Sequence, residues 1–208
     1  MINTYKVLKS DHEKLFQILK THFDSEKEYY RIRETEFYDP IENAAKFLYL
    51  NKTSFNGIYR VNKNGKYNVP YGRRNLKTLY AFKHLSDVSK ALKNTFLSNQ
   101  DFKKRSESVQ KQDLVFLDPP YTVAHENNGF IQYNQSIFSW ENQIQLSKLT
   151  KEFDLNGVYF IVTNAFHDSI KEIYTTGNKI EISRSSTIGG IGAKRTRYKE
   201  YIITNINN

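Results

Sequence analysis

The chain has 208 residues, of which 38% are hydrophobic, so it can form one sizeable globular domain or a domain with a small insert. A net charge of +9, with 15 Tyr and 14 Phe, suits a polyanion with stackable bases. Charge alone supports nucleic-acid binding only weakly, because many small proteins are basic for solubility. The absence of cysteine excludes disulfides, thiolate catalysis and cysteine-ligated metal sites.

Metal and membrane signals are also missing from the sequence. The five His show no HExxH or similar spacing, so no metal site is predicted. The first residues contain no apolar signal-peptide core, and no segment approaches the roughly 18 apolar residues of a membrane span. We therefore expect a cytoplasmic protein that binds neither a metal nor a membrane.

The first third of the chain is predicted to be helical. Apolar residues recur there at helical spacing in two runs, and these stripes are more simply explained as core faces than as functional groups. The first stripe contains Leu8, Leu15, Phe16 and Leu19, and the second contains Ile41, Ala45, Leu48 and Tyr49.

Residues 58–70, IYRVNKNGKYNVP, are predicted to form a β-hairpin. Two short β-prone runs flank Asn64-Gly65, the dipeptide favoured in type I′ turns. Basic and amide side chains crowd this segment and the residues after it: Arg60, Asn62, Lys63, Lys66, Asn68, Arg73 and Arg74. A two-stranded ribbon fits the DNA major groove, where an arginine can make a bidentate contact to guanine. A solvated basic hairpin explains the composition about equally well.

Downstream, strands and helices alternate. The apolar run 114–117 ends at Asp118, a helix is predicted over 142–153, a buried strand over 157–164, a helix over 168–174, and closing strands over 179–186 and 198–205. This order indicates an α/β sheet. In such sheets ligands bind outside the carboxyl ends of the strands, where Asp118 is expected to lie.

The tetrad Asp118-Pro119-Pro120-Tyr121 follows the apolar strand directly. The prolines fix an extended turn and leave the Pro119 carbonyl as an acceptor. Acceptors from Asp118 and Pro119 would localise the lone pair of an exocyclic amino group, and Tyr121 would stack on its heterocycle. A duplex adenine must flip out of the stack to reach such a site. The alternative is a tight Asp-Pro-Pro turn without a function.

The tetrad after an apolar strand, preceded by NKTSFNGIYRVNKNGKYNVPYGRRN, resembles the DNA adenine-N6 methyltransferases of the Dam type over nearly the whole chain. The resemblance implies a Rossmann-like class I methyltransferase sheet with an inserted helical and β-hairpin target-recognition region. It implies an enzyme that uses S-adenosylmethionine, acts on double-stranded DNA and commonly modifies GATC. Residues 1–35 and 108–208 would form the catalytic domain and residues 36–107 the target-recognition region.

The same resemblance assigns roles to individual residues. The catalytic group would be Asp118, Pro119, Pro120 and Tyr121, with Asp118 also next to the cofactor. Phe55 would be the aromatic wedge near the flipped adenine, and Arg60 would read a guanine. Apolar contacts to base edges are expected from Ile58 and Pro70. Phosphates or bases would be anchored by Asn56, Asn68 and Arg73.

The segment STIGGIGAKRTRYKE is a Gly-rich basic loop between two predicted strands. It is not a P-loop, because it lacks Gly-Lys-Ser/Thr and a strand follows it. It matches the basic loop near the family's C-terminus, so Lys194, Arg195 or Arg197 is expected to touch backbone phosphates.

Two parts of the family pattern do not occur in this sequence. Family members of this motif order carry an F-x-G-x-G loop for the methionine moiety and an acidic residue for the ribose, both before the recognition segment. Here the first glycine is Gly57, already inside that segment. We therefore expect an N-terminally truncated chain. The alternatives are a non-catalytic DNA-binding remnant, or one half of a split enzyme whose cofactor-binding segment is a separate polypeptide.

Overall fold

The computed structural model describes residues 1–74, 79–123, 138–185 and 197–206. The chain divides into two units, residues 1–99 and residues 100–208. The helices of the first unit are α1 (Ile2–Thr21), α2 (Glu26–Glu34), α3 (Pro40–Thr53) and α4 (Phe82–Leu92). Capping fixes where α2 and α3 begin, because Ser25 accepts the N–H of Glu28 and Asp39 accepts the N–H of Ile41.

The core of the first unit forms where α1 packs against α3 and α4. Both predicted apolar stripes are confirmed as core faces. Their buried members are Leu8, Leu15, Leu19, Ala45 and Tyr49, and the half-buried Phe16, Ile41 and Leu48 pack against them. Each fully buried side chain of this size stabilises the fold by about 1.5–3 kcal/mol relative to an exposed one.

A charged cluster joins the end of α1 to α2. Glu28 accepts two hydrogen bonds of 2.8 Å from Arg31 and lies 3.0 Å from Nδ1 of His22. The bonds from Arg31 hold the pKa of Glu28 below its ordinary value, and this effect outweighs burial, which raises it. The ionised carboxylate therefore helps to hold the first unit together.

The two arms of residues 58–70 pair as predicted, although only through isolated contacts and not as a regular two-stranded ladder. Val61 and Tyr67 form an isolated antiparallel bridge, and the N–H of Asn68 donates to the carbonyl of Arg60 at 3.1 Å. These contacts align the two arms of the segment without forming a longer ladder.

Asn64-Gly65 does not form the type I′ turn that this dipeptide favours. That turn requires positive φ at both residues, whereas only Gly65 has it, at 73°. The turn closes on Asn62 instead: its carbonyl accepts the N–H of Gly65 at 2.9 Å, and its side-chain Oδ1 accepts the N–H groups of Asn64 and Lys66, each at 3.0 Å. Asparagine commonly bonds the backbone two residues further on in this way, and the sequence pattern does not reveal which of two asparagines will do so.

The base of this segment is closed by a second bridge, between Ser54 and Tyr71. We call residues 54–73 the ribbon. Gly72 lies against the opposite arm, where its N–H donates to the carbonyl of Thr53 at 2.8 Å. A Cβ at Gly72 would lie 2.5 Å from the carbonyl oxygen of Ser54, so this close approach requires glycine.

A four-stranded sheet organises the second unit. Its strands are β1 (Leu114–Leu117), β2 (Tyr159–Ala165), β3 (Asn178–Ser185) and β4 (Arg197–Thr204), in the order β1-β2-β4-β3. β1 and β2 are parallel, and the other two pairs are antiparallel. The accompanying helices are α5 (Phe102–Ser106), α6 (Trp140–Leu155) and α7 (Asp168–Ile173). The strands and helices predicted for this half are confirmed, as is the α/β fold class.

The core of the second unit covers one face of the sheet. Phe160 and Val162 of β2 and Ile203 of β4 are fully buried there, together with Ile170 of α7. Side chains alternate between the faces of a strand, so Leu114 and Phe116 of β1 lie on the opposite face, where they are 59% and 62% exposed.

The two units do not follow the predicted functional boundaries. Residues 1–35 were assigned to the catalytic domain, yet α1 packs against α3 and α4 within the first unit. The assignment of 36–107 to recognition and of 1–35 with 108–208 to catalysis stays a prediction about function.

Candidate active site and nucleic-acid interface

The turn after β1 places an acidic group at the carboxyl end of the sheet. Leu117 pairs with Val162, which brings Asp118 beside Thr163 on the parallel strand. The Thr163 hydroxyl donates to Asp118 Oδ1 at 2.5 Å, and Asp118 is exposed. The carboxylate is thus fixed from one side and open to solvent.

The two prolines shape the backbone that follows. Pro119 is buried and Pro120 half-buried, and neither has an N–H to donate. The Pro120 carbonyl accepts a hydrogen bond from Nε2 of Gln143 on α6 at 3.2 Å. The residues that the structure describes donate no hydrogen bond to the Pro119 carbonyl. Tyr121 is half-buried beside this turn.

Gln143 contacts the turn, although the sequence analysis did not single it out. It lies in the first turn of α6 and is 0% exposed, although a glutamine on an amphipathic helix is ordinarily solvated. The available signal was its spacing, because Gln143 precedes the buried Leu146, Thr150 and Phe153 by three, seven and ten residues.

The ribbon brings the predicted guanine reader and one predicted anchor together. Arg60 Nε donates to Asn68 Oδ1 at 2.9 Å, and its Nη2 donates to the Asn68 carbonyl at 3.3 Å. Both residues are exposed. Asn68 therefore holds the guanidinium of Arg60, a contact that the sequence analysis did not foresee.

The predicted wedge and the apolar contacts lie at the base of the ribbon. Phe55 is 48% exposed, and its N–H donates to the Pro70 carbonyl at 2.9 Å, so these two positions are neighbours. Asn56 has a φ of 54°, the left-handed conformation that asparagine adopts more readily than most residues. Pro70 is exposed and Ile58 is half-buried.

The structure describes the remaining predicted DNA-contacting residues to different extents. Arg73 is exposed and lies 3.8 Å from Glu26, a separation at which a surface ion pair contributes little. Lys194 and Arg195 lie outside the described residues. Arg197 is the first residue of β4, and only its backbone is described.

A buried tyrosine ties the ribbon to the helices of its own unit. Tyr29 of α2 is 0% exposed, and its hydroxyl donates to the Val69 carbonyl at 2.7 Å. Burial raises the pKa of Tyr29, so the hydroxyl keeps its proton at any ordinary pH. A cleft of about 680 Å³ lies beside the ribbon and is lined in part by Phe37, Phe47 and Tyr59.

Within the described ranges, no group of three or more acidic or histidine side chains is arranged to hold a metal ion. The helices in those ranges are too short or too polar to be candidate membrane spans.

Comparison with known proteins defines the class as DNA methyltransferases. The family model described as D12 class N6 adenine-specific DNA methyltransferase matches residues 1–188. The chain belongs to this family, which confirms the predicted resemblance, and the family acts on DNA. The four-stranded mixed sheet is consistent with the class I methyltransferase fold.

Individual relatives carry names of the same kind. The chain is 31% identical to the Type II methyltransferase M1.LlaDCHI of Lactococcus lactis subsp. cremoris, over 100% of this chain and 77% of the relative. It is 32% identical to the Type II methyltransferase M.MjaIII of Methanocaldococcus jannaschii, over 92% and 71%. It is 25% identical to the DNA adenine methylase of Escherichia coli K12, over 97% and 74%.

Proposed function

We propose that this chain transfers a methyl group from S-adenosylmethionine to N6 of an adenine in double-stranded DNA. The observation that carries the proposal is the turn after β1, where an exposed carboxylate is held by Thr163 at the carboxyl end of two parallel strands. Two prolines and an aromatic ring follow it, as in the catalytic tetrad of the family.

The tetrad suits a planar amino group. Asp118 and the Pro119 carbonyl accept the two N–H groups of N6, which localises the nitrogen lone pair, and Tyr121 stacks on the purine. Bound S-adenosylmethionine would supply the methyl group to N6 and leave as the neutral thioether, and the proton lost from N6 would pass to the solvent to which Asp118 is exposed. Adenine reaches these groups only after it leaves the base stack, at a cost of a few kcal/mol.

S-adenosylmethionine, when bound, supplies the electrophilic methyl group. Among the described residues, Asp118 fits this cationic ligand, because its carboxylate is exposed on the side away from Thr163. The family's F-x-G-x-G loop has no counterpart in the sequence. The affinity for S-adenosylmethionine therefore has to be measured in addition to the methyltransferase activity.

The ribbon is the proposed reader of sequence. A guanidinium has five N–H donors, of which two bond Asn68, so the outer edge of Arg60 keeps a pair of donors for guanine O6 and N7. Asn68 thus orients the reader. Phe55 is the wedge beside the flipped adenine, and Ile58 and Pro70 make apolar contacts to base edges.

Backbone contacts complete the proposed interface. Asn56 and Arg73 anchor phosphates or bases. Lys194, Arg195 or Arg197 contacts backbone phosphates, which position the duplex without reading it. We assign recognition to residues 36–107 and catalysis to residues 1–35 and 108–208. The proposed target is GATC, on the basis of the resemblance to Dam-type enzymes.

The test is a methylation assay with methyl-labelled S-adenosylmethionine. One duplex carries a single GATC, and its control carries the same bases scrambled. We expect N6-methyladenine, identified by mass spectrometry after digestion, in the first duplex only. Label at another sequence would refute the GATC assignment and leave the chemistry standing. DNA binding without label, and without cofactor binding by calorimetry, would identify a non-catalytic DNA-binding protein.

A further inference from the structure

Three polar side chains are completely buried behind the turn that follows β1. Gln143 of α6, Asn164 of β2 and Tyr174, the residue after α7, are each 0% exposed. An uncompensated buried amide or hydroxyl destabilises a fold by several kcal/mol on some scales, so such groups are retained where hydrogen bonds satisfy them. The hydrogen-bond partners of these three side chains therefore show which part of the fold they stabilise.

The hydrogen bonds fix the orientation of both amides. The N–H of Ala165 donates to Asn164 Oδ1 at 2.9 Å, so the amino group of Asn164 is the one that donates to Gln143 Oε1, at 3.0 Å. The Tyr174 hydroxyl also donates to this oxygen, at a long 3.5 Å. The amino group of Gln143 must then face away from Asn164, and it donates to the carbonyl of Pro120.

This chain of hydrogen bonds ends at the Pro120 carbonyl. Pro119 and Pro120 have no N–H, so hydrogen bonds can hold the prolines only through their carbonyls. The Pro119 carbonyl is an acceptor for substrate in the proposed chemistry, which leaves the Pro120 carbonyl for the core. Gln143 bonds this group from a helix whose start is itself capped by Ser139.

The end of β2 holds the turn from both faces of the sheet. Thr163 and Asn164 are consecutive, so their side chains point to opposite faces. Thr163 bonds the Asp118 carboxylate directly, while Asn164 acts through Gln143 on the Pro120 carbonyl. The two bonds fix the turn at its first and third residues.

We propose that Gln143 is a positioning residue for methyl transfer. Its hydrogen bond to the Pro120 carbonyl holds the side chains of Asp118 and Tyr121 in the positions at which they contact the flipped adenine. This inference rests on the proposed catalytic role of the tetrad. A displacement of about 1 Å at reacting groups can lower a rate about 10²-fold, which is why a bond outside the reacting centre matters.

Two variants of Gln143 separate positioning from packing. Gln143→Leu removes both polar groups. Gln143→Glu keeps the acceptor for Asn164 and Tyr174, but once ionised it has no proton to donate to Pro120. The matched control is Thr150→Val on the same helix, because Thr150 is also 0% exposed and its hydroxyl donates only to the Ser147 carbonyl, within the helix.

We expect kcat to fall about tenfold or more in Gln143→Leu, with KM for DNA within about twofold of the wild-type value. Thr150→Val should keep the wild-type kcat. In Gln143→Glu, burial raises the pKa of the new carboxyl group, and its protonated form can donate to Pro120. The kcat of this variant should therefore recover relative to wild type as pH falls, while its melting temperature changes no more than that of wild type over the same pH range. Recovery that only follows a rising melting temperature would show relief of a buried charge and contradict positioning.

A wild-type kcat in folded Gln143→Leu would overturn the inference, as would a Gln143→Glu deficit that does not change with pH. If Gln143→Leu does not fold, the pH profiles of kcat and of the melting temperature of Gln143→Glu decide together. If the wild-type chain transfers no methyl group, the proposed function fails, and the amide NMR shifts of residues 121–123 test the positioning claim separately. Shifts that move in Gln143→Glu and not in Thr150→Val support it, and unmoved shifts contradict it.

Discussion

The ribbon and the turn after β1 are both held by a buried side chain that donates to one backbone carbonyl. Tyr29 bonds the Val69 carbonyl in the ribbon, and Gln143 bonds the Pro120 carbonyl in the turn. The two anchors differ in what surrounds them. Tyr29 lies among aromatic rings, whereas Gln143 is the end of a relay that includes Asn164 and Tyr174.

This difference matches the role that we propose for each region. A reader of bases needs exposed donors on a segment of defined shape, and the side chains of Arg60 and Asn68 are exposed. Acceptors that bind the amino group of a flipped adenine need a closely fixed position, and the turn is bonded at both Asp118 and Pro120. Changes in the turn should therefore alter rate, and changes in the ribbon should alter binding and selectivity.

The largest expected effect follows from removing the carboxylate. Asp118→Ala should lower methyl transfer by about 10²–10⁴-fold, because no other group replaces its acceptor oxygens. The dissociation constant for DNA should stay within a few-fold of the wild-type value, since the carboxylate acts on the flipped base and not on the duplex. Radiolabel transfer and fluorescence anisotropy measure the two quantities. Unchanged activity would remove Asp118 from the mechanism.

The second-largest expected effect is on the discrimination between cognate and scrambled DNA. Arg60→Ala should weaken binding to the cognate duplex by about 1–3 kcal/mol and relax discrimination at one guanine. The matched control is Lys63→Ala, an exposed cation in the same ribbon, which should weaken cognate and scrambled duplexes alike. Competition binding with both duplexes measures the difference. Equal losses on the two duplexes for Arg60→Ala would make it a phosphate anchor.

A smaller effect is expected from the anchor of the ribbon. Tyr29→Phe removes the hydroxyl that bonds Val69 and should destabilise the fold by about 0.5–1.5 kcal/mol, with a matching loss of cognate affinity. Tyr30→Phe is the control, because no described residue hydrogen-bonds that hydroxyl. Thermal unfolding and anisotropy report the two effects. If Tyr29→Phe binds cognate DNA with the same affinity as Tyr30→Phe, the hydrogen bond to Val69 does not contribute to recognition.

The smallest effect concerns acid stability. The bonds from Arg31 lower the pKa of Glu28, so this carboxylate stabilises the fold above the ordinary pKa of 4.5, and the contribution is lost as pH falls through the lowered value. Glu28→Gln cannot lose this contribution. The melting temperature of the wild-type protein should therefore fall more steeply than that of Glu28→Gln below pH 4.5. Parallel pH profiles would contradict the role of this ion pair.

The sequence predicted those features that depend on local pattern. Apolar periodicity located the cores around Leu15 and Tyr49, and the acidic Pro-Pro turn appeared where the apolar strand ends. The ribbon was found from its β-prone arms. The turn type that Asn64-Gly65 favours did not form, because the turn closes on Asn62: its carbonyl accepts the N–H of Gly65, and its side chain accepts the N–H groups of Asn64 and Lys66.

Features that depend on tertiary contact were not predictable in the same way. Gln143 is separated from Pro120 by 23 residues and from Asn164 by 21, and only the packing of α6 on the sheet brings the three together. Similarly, nothing in the sequence indicated that Asn68 holds Arg60, because an amide on a basic ribbon is equally suited to contact DNA. Hydrogen bonds between distant side chains have no periodic signature.

The most direct test of the account measures rate and affinity together, in single-turnover experiments at saturating cognate DNA. Wild type, Asp118→Ala and Arg60→Ala are compared, each with its equilibrium dissociation constant. We expect Asp118→Ala to lose the transfer rate and keep affinity, and Arg60→Ala to lose cognate affinity and keep most of the transfer rate once DNA is saturating. Equal losses of rate and affinity in both variants would contradict the separation of chemistry in the turn from reading in the ribbon.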